Sequence, residues 1–429
     1  SLPDPSAFAE MWSGSNGQAV STTMGFTRLL RSLTRDEQVG KRIVPIIPDE
    51  ARTFGMDSLF REIGIYASQG QLYEPVDHDL LLSYAESKSG QILEEGITEA
   101  GAMSSFIAAG TSYATRGVPM IPFYTFYSMF GFQRVGDLIW QAADMRARGF
   151  LMGATAGRTT LEGEGLQHQD GHSLVLASTV PAVQAYDPSF AYEVGAIVDA
   201  GIKRMYGGGT PDETDVFYYI TLYNENYEMP AMPDTPGLAE AIVEGLYKWA
   251  DAPSGTGENE NAELIPATLL FSGSAQGAAR EAAADLAEHY GVGAELWSAT
   301  SYKALREEGL SAERHNRLHP SGDRRVPRVA QILADSQGPI TAVSDFMMAV
   351  PEQVMRFLPD RTFMTLGTDG MGRSDTREAL RRHFEIDTGH IVVAVLSALL
   401  QDGKVDPSVV HDAISRYDID PDAVDPFII

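Results

Sequence analysis

Between residues 22 and 229 short apolar runs alternate with stretches whose apolar residues recur every three or four positions. That order predicts strands and helices of a mostly parallel sheet. Residues 42–47, 119–126, 150–154, 174–178 and 216–222 read as strands. The spacing of Ile97, Met103, Phe106 and Ile107, and then of Val135, Leu138, Ile139 and Ala142, predicts two amphipathic helices with a core-facing stripe. Residues 251–263 lose all periodicity and are rich in Gly, Pro, Asn and Glu, the composition of a linker or exposed loop. The alternation then restarts, with strands over 264–271, 294–299, 340–343 and 362–366, helices over 278–290, 326–333 and 351–357, and two or three closing helices. The expected fold is α/β in two domains, 1–250 and 264–429, each a mostly parallel sheet flanked by helices.

Composition narrows the function classes. A chain of 429 residues, 44% apolar, is long enough for two or three separately cored domains. Its 59 acidic against 32 basic residues give a formal charge of −27, which repels nucleic acid and anionic lipid and favours basic protein partners. With no cysteine the chain forms neither disulfides nor thiolate metal sites, as suits a reducing cytoplasm. The start, Ser1-Leu-Pro-Asp-Pro, has no basic stretch leading into an apolar one, and no later window holds about 18 apolar residues without charge. The expectation is a cytoplasmic protein with no membrane and no nucleic-acid partner.

Five segments carry candidate chemistry. In Gly163-Glu-Gly-Leu-Gln-His-Gln-Asp-Gly-His-Ser173, glycines allow close backbone approach to a ligand, and His168, Asp170 and His172 offer proton transfer or metal ligation. His168 and His172 have the four-residue separation of a zinc helix, but Gln169 stands where that pattern needs Glu and Gly171 weakens a helix; a polar loop with satisfied histidines is the alternative. Asp49, Glu50 and Arg52 follow a strand directly, where open α/β sheets bind ligands, or else pair within the loop. Glu99, flanked by Ala100, Gly101 and Ala102, is a carboxylate expected to be partly buried and to need a partner. The run Phe123-Tyr-Thr-Phe-Tyr-Ser-Met-Phe-Gly-Phe-Gln133 holds six aromatics in eleven residues; most suit a core, while Tyr127 and Phe130 adjoin a polar turn and could stack on a planar ring. Ser272-Gly-Ser-Ala-Gln-Gly277 is an incomplete match to a phosphate turn.

Taken together, Ile47-Pro-Asp-Glu-Ala-Arg-Thr-Phe-Gly-Met56, Pro119-Met-Ile-Pro-Phe-Tyr124, Tyr127-Ser-Met-Phe-Gly-Phe-Gln-Arg134, Gly165-Leu-Gln-His-Gln-Asp-Gly-His172, Tyr223-Asn-Glu-Asn-Tyr227 and Leu366-Gly-Thr-Asp-Gly-Met-Gly-Arg-Ser-Asp375 closely resemble the homodimeric type of pyruvate dehydrogenase first component. The resemblance spans essentially the whole chain. It implies a transketolase-like enzyme whose domains separately hold the diphosphate of thiamine diphosphate through magnesium, hold its aminopyrimidine, and form a C-terminal domain; this chain resembles the last two. It further implies that Glu99 bonds the aminopyrimidine and activates it, that Phe130 stacks on it with Ile97 and Tyr127 nearby, and that Tyr127 and His168 face the substrate. Asp49 and Glu50 match acids at the mouth of the active centre, and no metal ligand is expected here. Pyruvate would be decarboxylated and its two-carbon fragment passed to the lipoyl group of a transacetylase.

The diphosphate and magnesium motif, Gly-Asp-Gly followed by Asn, is absent from this sequence. The expectation is a piece of a longer chain, inactive without its N-terminal half, with one polypeptide of a split enzyme as the alternative; a homo-oligomer with the cofactor between protomers is implied. Two other functions compete. Transketolase-like two-carbon transfer keeps the cofactor, but lacks an obvious Arg or His set for sugar phosphate. A non-catalytic docking or dimerisation module would use the acidic surplus, such as Asp406, Asp412, Asp418, Asp420, Asp422 and Asp425.

Overall fold

The apolar runs become strands buried on both faces. Residues 2–48, 51–76, 84–162, 164–255 and 263–428 are described by the computed structural model. The first sheet comprises β1 (Ile43–Ile47), β2 (Leu93–Glu94), β3 (Ile121–Tyr127), β4 (Phe150–Ala154), β5 (Val183–Tyr186) and β6 (Phe217–Thr221), in the order β2-β1-β3-β4-β6-β5. The pairs from β2 through to β6 are parallel, with Ile43 opposite Ile121 and Phe123 opposite Phe150. Every residue of β1, β4 and β6 is buried, as continuous Ile, Val, Phe and Tyr runs require in a sheet covered on both sides. Phe123 and Phe150 stack at 4.6 Å between ring centroids.

Helices α1 (Thr22–Arg35), α2 (Glu99–Gly110), α3 (Phe132–Asp144) and α5 (Ala191–Tyr206) serve this sheet, with α2 packed on β3 and α3, and α1 on α5. Ser21 caps α1 by accepting the Met24 N–H at 3.0 Å. Residues 174–178, expected as a strand, form instead a helix, α4 (Ser173–Ser178). An apolar run of this length has no decisive period; the outcome is set by Asp170, whose Oδ1 accepts the N–H groups of His172 (3.0 Å) and Ser173 (2.8 Å) and starts a helical turn. Ile97 also departs from expectation, standing outside α2 and 74% exposed rather than in its buried stripe.

The second sheet runs β7-β9-β8-β10-β11, from β7 (Tyr247–Ala250), β8 (Ile265–Phe271), β9 (Val292–Ser298), β10 (Ile340–Val343) and β11 (Phe363–Leu366). Only β7 is antiparallel, on β9. Helices α6 (Gln276–Tyr290), α7 (Tyr302–Leu318), α8 (Arg377–His383), α9 (Thr388–Gln401) and α10 (Pro407–Arg416) belong with it, α6 and α9 packing on each other and on the strands. Residues 351–357 form a 3₁₀ helix, Pro351–Phe357. The stretch 377–401 has the length and hydropathy of a membrane span. It is nevertheless two helices separated at Glu385, a non-glycine residue at φ 59°, and Ile391, Val392, Val395, Leu396 and Leu399 of α9 are buried. That is how a core helix behaves.

Two compact units result. The first holds Ser1–Ala156, Leu176–Ala185 and Phe190–Asp234; the second holds Gly157–Val175, Tyr186–Ser189 and Thr235–Ile429. The strand β7, ahead of the acidic stretch at 251–263, is therefore part of the second sheet.

Candidate active site

In the first unit three adjacent parallel strands, β2, β1 and β3, deliver their carboxyl ends side by side, the edge at which open α/β sheets bind ligands. After β2 the chain turns through Gly96 to Thr98, whose Oγ1 accepts the Gly101 N–H at 3.3 Å and caps α2. Glu99 is the first residue of that helix and only 7% exposed. Burying a lone carboxylate costs several kcal/mol unless it is paired. Two features offset that cost: the amino end of α2 favours negative charge, and Arg134 Nη1 lies 3.0 Å from Glu99 Oε1. The phenol of buried Tyr124 donates to the Glu99 carbonyl at 3.4 Å; burial, and then the Glu99 charge, push its pKa up.

The carboxyl end of β3 supplies Tyr127, half-buried, followed by a 3₁₀ turn, Ser128–Phe130, that leads into α3. The turn needs Gly131, because a Cβ there would lie 2.2 Å from the Phe126 ring. Phe130 is partly exposed, and the Arg134 guanidinium sits 4.2 Å from its ring centroid. One guanidinium thus meets both the Glu99 carboxylate and the Phe130 ring. Tyr127 packs edge-on against Phe54 (5.4 Å) and Phe130 (6.1 Å), and its hydroxyl donates to Thr53 Oγ1 at 3.4 Å. Asn224 donates to the Thr53 carbonyl at 3.4 Å and accepts from Thr23 at 2.7 Å, tying the turn after β1 to the end of β6. Asp49 and Glu50, expected at the substrate side, lie outside the described residues. The structure thus brings Glu99, Phe130 and Tyr127 into one unit, and adds Arg134, Thr53 and Asn224, which the residue patterns had not singled out. Arg134 had a signal: it lies four residues beyond Phe130, the spacing at which helical side chains meet.

His168 belongs to the second unit. It ends a 3₁₀ turn, Leu166–His168, with its N–H on the Gly165 carbonyl at 3.0 Å and its Nδ1 3.7 Å from Glu164 Oε2. Asp170 is fully buried and serves as the cap of α4, with Oδ1 also 3.8 Å from His172 Nδ1. The three groups that stand together in sequence therefore have different surroundings. Among the described residues no three His, Asp or Glu side chains gather as a metal site.

The segment bearing His168 is fastened to the second sheet by buried Asp345, just past β10. Asp345 accepts from the N–H groups of Arg158 (3.0 Å) and Thr159 (3.1 Å), from Thr159 Oγ1 (2.9 Å) and from Ser274 Oγ (2.8 Å). The hydroxyl of the candidate phosphate turn is thus engaged with a carboxylate. Burial pushes Asp345 up to about 6, against the pull of Arg381 and of those hydrogen bonds.

The family model for the pyruvate dehydrogenase E1 component middle domain matches residues 2–230, more than half of the chain. The chain belongs to the pyruvate dehydrogenase E1 component family. A model for the transketolase-like C-terminal domain matches residues 254–387. Pyruvate dehydrogenase E1 components of Pseudomonas aeruginosa and Mycobacterium tuberculosis are 50% and 52% identical over 425 residues each, 99% of this chain. That of Escherichia coli K12 is 50% identical over 407 residues, 95% of the chain. The chain covers 47%, 44% and 44% of these three relatives, about half their length. Among solved structures, a transketolase from Leishmania mexicana aligns with a TM-score of 0.66 at 16% identity over 94% of this chain and 49% of its own. A split-gene transketolase, an inactive β4 tetramer, aligns at 0.57 and 17% identity over 89% of this chain and 98% of its own. These structural likenesses concern the fold of this E1-family chain and not its chemistry.

Proposed function

We propose that this chain supplies the aminopyrimidine-binding and substrate-facing side of a thiamine-diphosphate enzyme that decarboxylates pyruvate and reductively acetylates the lipoyl group of a transacetylase. The observation that carries the reading is Glu99: a buried carboxylate, at the amino end of a helix and at the carboxyl edge of a parallel sheet, sharing Arg134 with the Phe130 ring. These residues suit a flat nitrogen heterocycle. Phe130 offers a ring face, Glu99 an acceptor at its edge, and the Arg134 guanidinium already makes both contacts with a planar, N–H-bearing group.

Thiamine diphosphate, when bound, supplies the nucleophilic carbon and the electron sink for decarboxylation. Glu99 would hold the aminopyrimidine through a hydrogen bond between its carboxyl group and a ring nitrogen, the proton shared between the two. Phe130 orients the ring by stacking, and exposed Ile97 beside the Thr98 cap offers it an apolar contact. Tyr127 and His168 face the substrate. Asp49 and Glu50 enter this reading only through the family resemblance, as acids of the active-centre mouth. Magnesium and the diphosphate are held by sequence that this chain does not contain, in keeping with the absence of Gly-Asp-Gly. The working enzyme on this reading is a cytoplasmic homo-oligomer, with a second protomer and the transacetylase as its protein partners.

The test is Glu99→Gln in the full-length enzyme, assayed for pyruvate decarboxylation with thiamine diphosphate and magnesium, and with ketose phosphates as control donors. Loss of general acid–base assistance lowers kcat by about 10²–10⁴-fold. Full retained activity, or a preference for ketose phosphates, rejects the reading.

A further inference from the structure

The glycine-bearing stretch 367–375 follows β11, and none of the chemistry above uses it. It lies in the same unit as the His168 segment and touches it on both sides of the histidine. Gly372 is buried, and a Cβ placed on it would lie 2.9 Å from Gln169 Cβ, from Gln169 Oε1 and from the Leu166 carbonyl. Contacts that short force a shift, and two of the atoms belong to the turn that carries His168 or to its next neighbour's stem. Gln169 is 1% exposed, and its Oε1 accepts the Arg373 N–H at 2.7 Å. Ser374 Oγ donates to the Glu164 carbonyl at 2.6 Å.

Further along, Arg377 at the start of α8 donates to the Thr160 carbonyl at 2.9 Å, and the Met347 N–H to the Gly171 carbonyl at 2.8 Å. Arg158 reaches back to the Thr368 carbonyl. The histidine is therefore held through residues 164, 166, 169 and 171, while its own side chain keeps 21% of its surface accessible. A chain held on both sides of one partly exposed imidazole has little freedom left except the side-chain rotamer.

We propose that residues 367–375 form a rigid seat that aims the His168 imidazole, with Gln169 and Gly372 as its positioning residues. This rests on the reading of His168 as a substrate-facing group. Gln169 sets the turn by a buried side-chain bond to a backbone N–H, whose removal leaves that donor unpaired. Gly372 lets the two backbones approach. Such a seat ties the reach of a substrate-facing group to the second sheet.

The experiment uses the full-length enzyme with thiamine diphosphate and magnesium. Gln169→Ala and Gly372→Ala are measured alone and over His168→Gln, with melting temperatures and amide hydrogen exchange across residues 164–170. Misplacement by about an ångström costs up to about 100-fold in rate, so each variant is expected to lower kcat/KM for pyruvate at least about tenfold, mainly through kcat. Over His168→Gln that loss disappears, since coupled residues are non-additive, and exchange of the His168 amide quickens in both variants. Losses that persist in full over His168→Gln overturn the proposal, as does unchanged exchange in both variants. If His168→Gln alone keeps full activity, the functional reading loses His168, whereas the seat is still decided by exchange, which needs no turnover. Should either variant fail to fold, Ser374→Ala, at an exposed position, removes one hold and is read in the same way.

Discussion

Asp345 accepts from four donor groups, yet burial holds its pKa at about 6. Desolvation therefore outweighs every favourable contact. A carboxyl whose folded pKa exceeds its unfolded value of 3.8 binds its proton more tightly in the native state. The stability it contributes is complete below that unfolded value and is lost as pH rises through about 6. Urea unfolding of the wild type and of Asp345→Asn across this window should give curves that separate as pH rises, the wild type losing stability that the variant does not; parallel curves would mean that Asp345 does not titrate there. At Glu99 the balance runs through Arg134, whose side chain is 51% exposed. Water already shares that guanidinium, so Arg134→Ala is expected to cost about 1–2 kcal/mol of stability, less than a fully buried pair. Chemical denaturation measures it. Glu99 was legible because its neighbours Ala100, Gly101 and Ala102 leave no polar surroundings. Asp345 was not: its partners Arg158 and Thr159 lie 187 and 186 residues away, and no local pattern encodes such a contact.

Among the elements, long apolar runs and strongly periodic helices came out as expected, including β4 and β10 at the anticipated residues. Short elements decided by one side chain did not. Residues 174–178 became α4 through the Asp170 cap, and the edge strands β5 and β7, four residues each, carried too little pattern to register. The turn from β3 into α3 is where an element and the site meet. Gly131 lies against the Phe126 ring with no space for a methyl group, so Gly131→Ala should destabilise by about 1–3 kcal/mol and displace Phe130 and Arg134 together. A thermal melt reads the first effect, and weakened cofactor binding at unchanged melting temperature in a compensated background reads the second. In α9, Leu396 is fully buried; Leu396→Ala should cost about 2–5 kcal/mol by urea unfolding, whereas a lipid-facing leucine would cost far less in water.

For the whole molecule the largest number is the charge of −27. Self-repulsion of that size weakens the compact state, and screening shortens its reach to about 8 Å at about 0.15 M salt. Melting temperature should therefore rise as salt is added from low ionic strength. A melting temperature independent of salt would show that the acids are already neutralised locally. The E1-family relatives are about twice the length of this chain.

The sequence by itself determined the α/β alternation, the placing of candidate groups after strands, and the family, because each is written in local periodicity or in long contiguous motifs. Tertiary structure alone decided that Arg134 serves both Glu99 and Phe130, and that the His168 segment is fastened to the second sheet by Asp345, Gly372 and Arg373. Those contacts join residues up to about two hundred positions apart. They depend on close approach and on burial, which exist only once the sheets have formed.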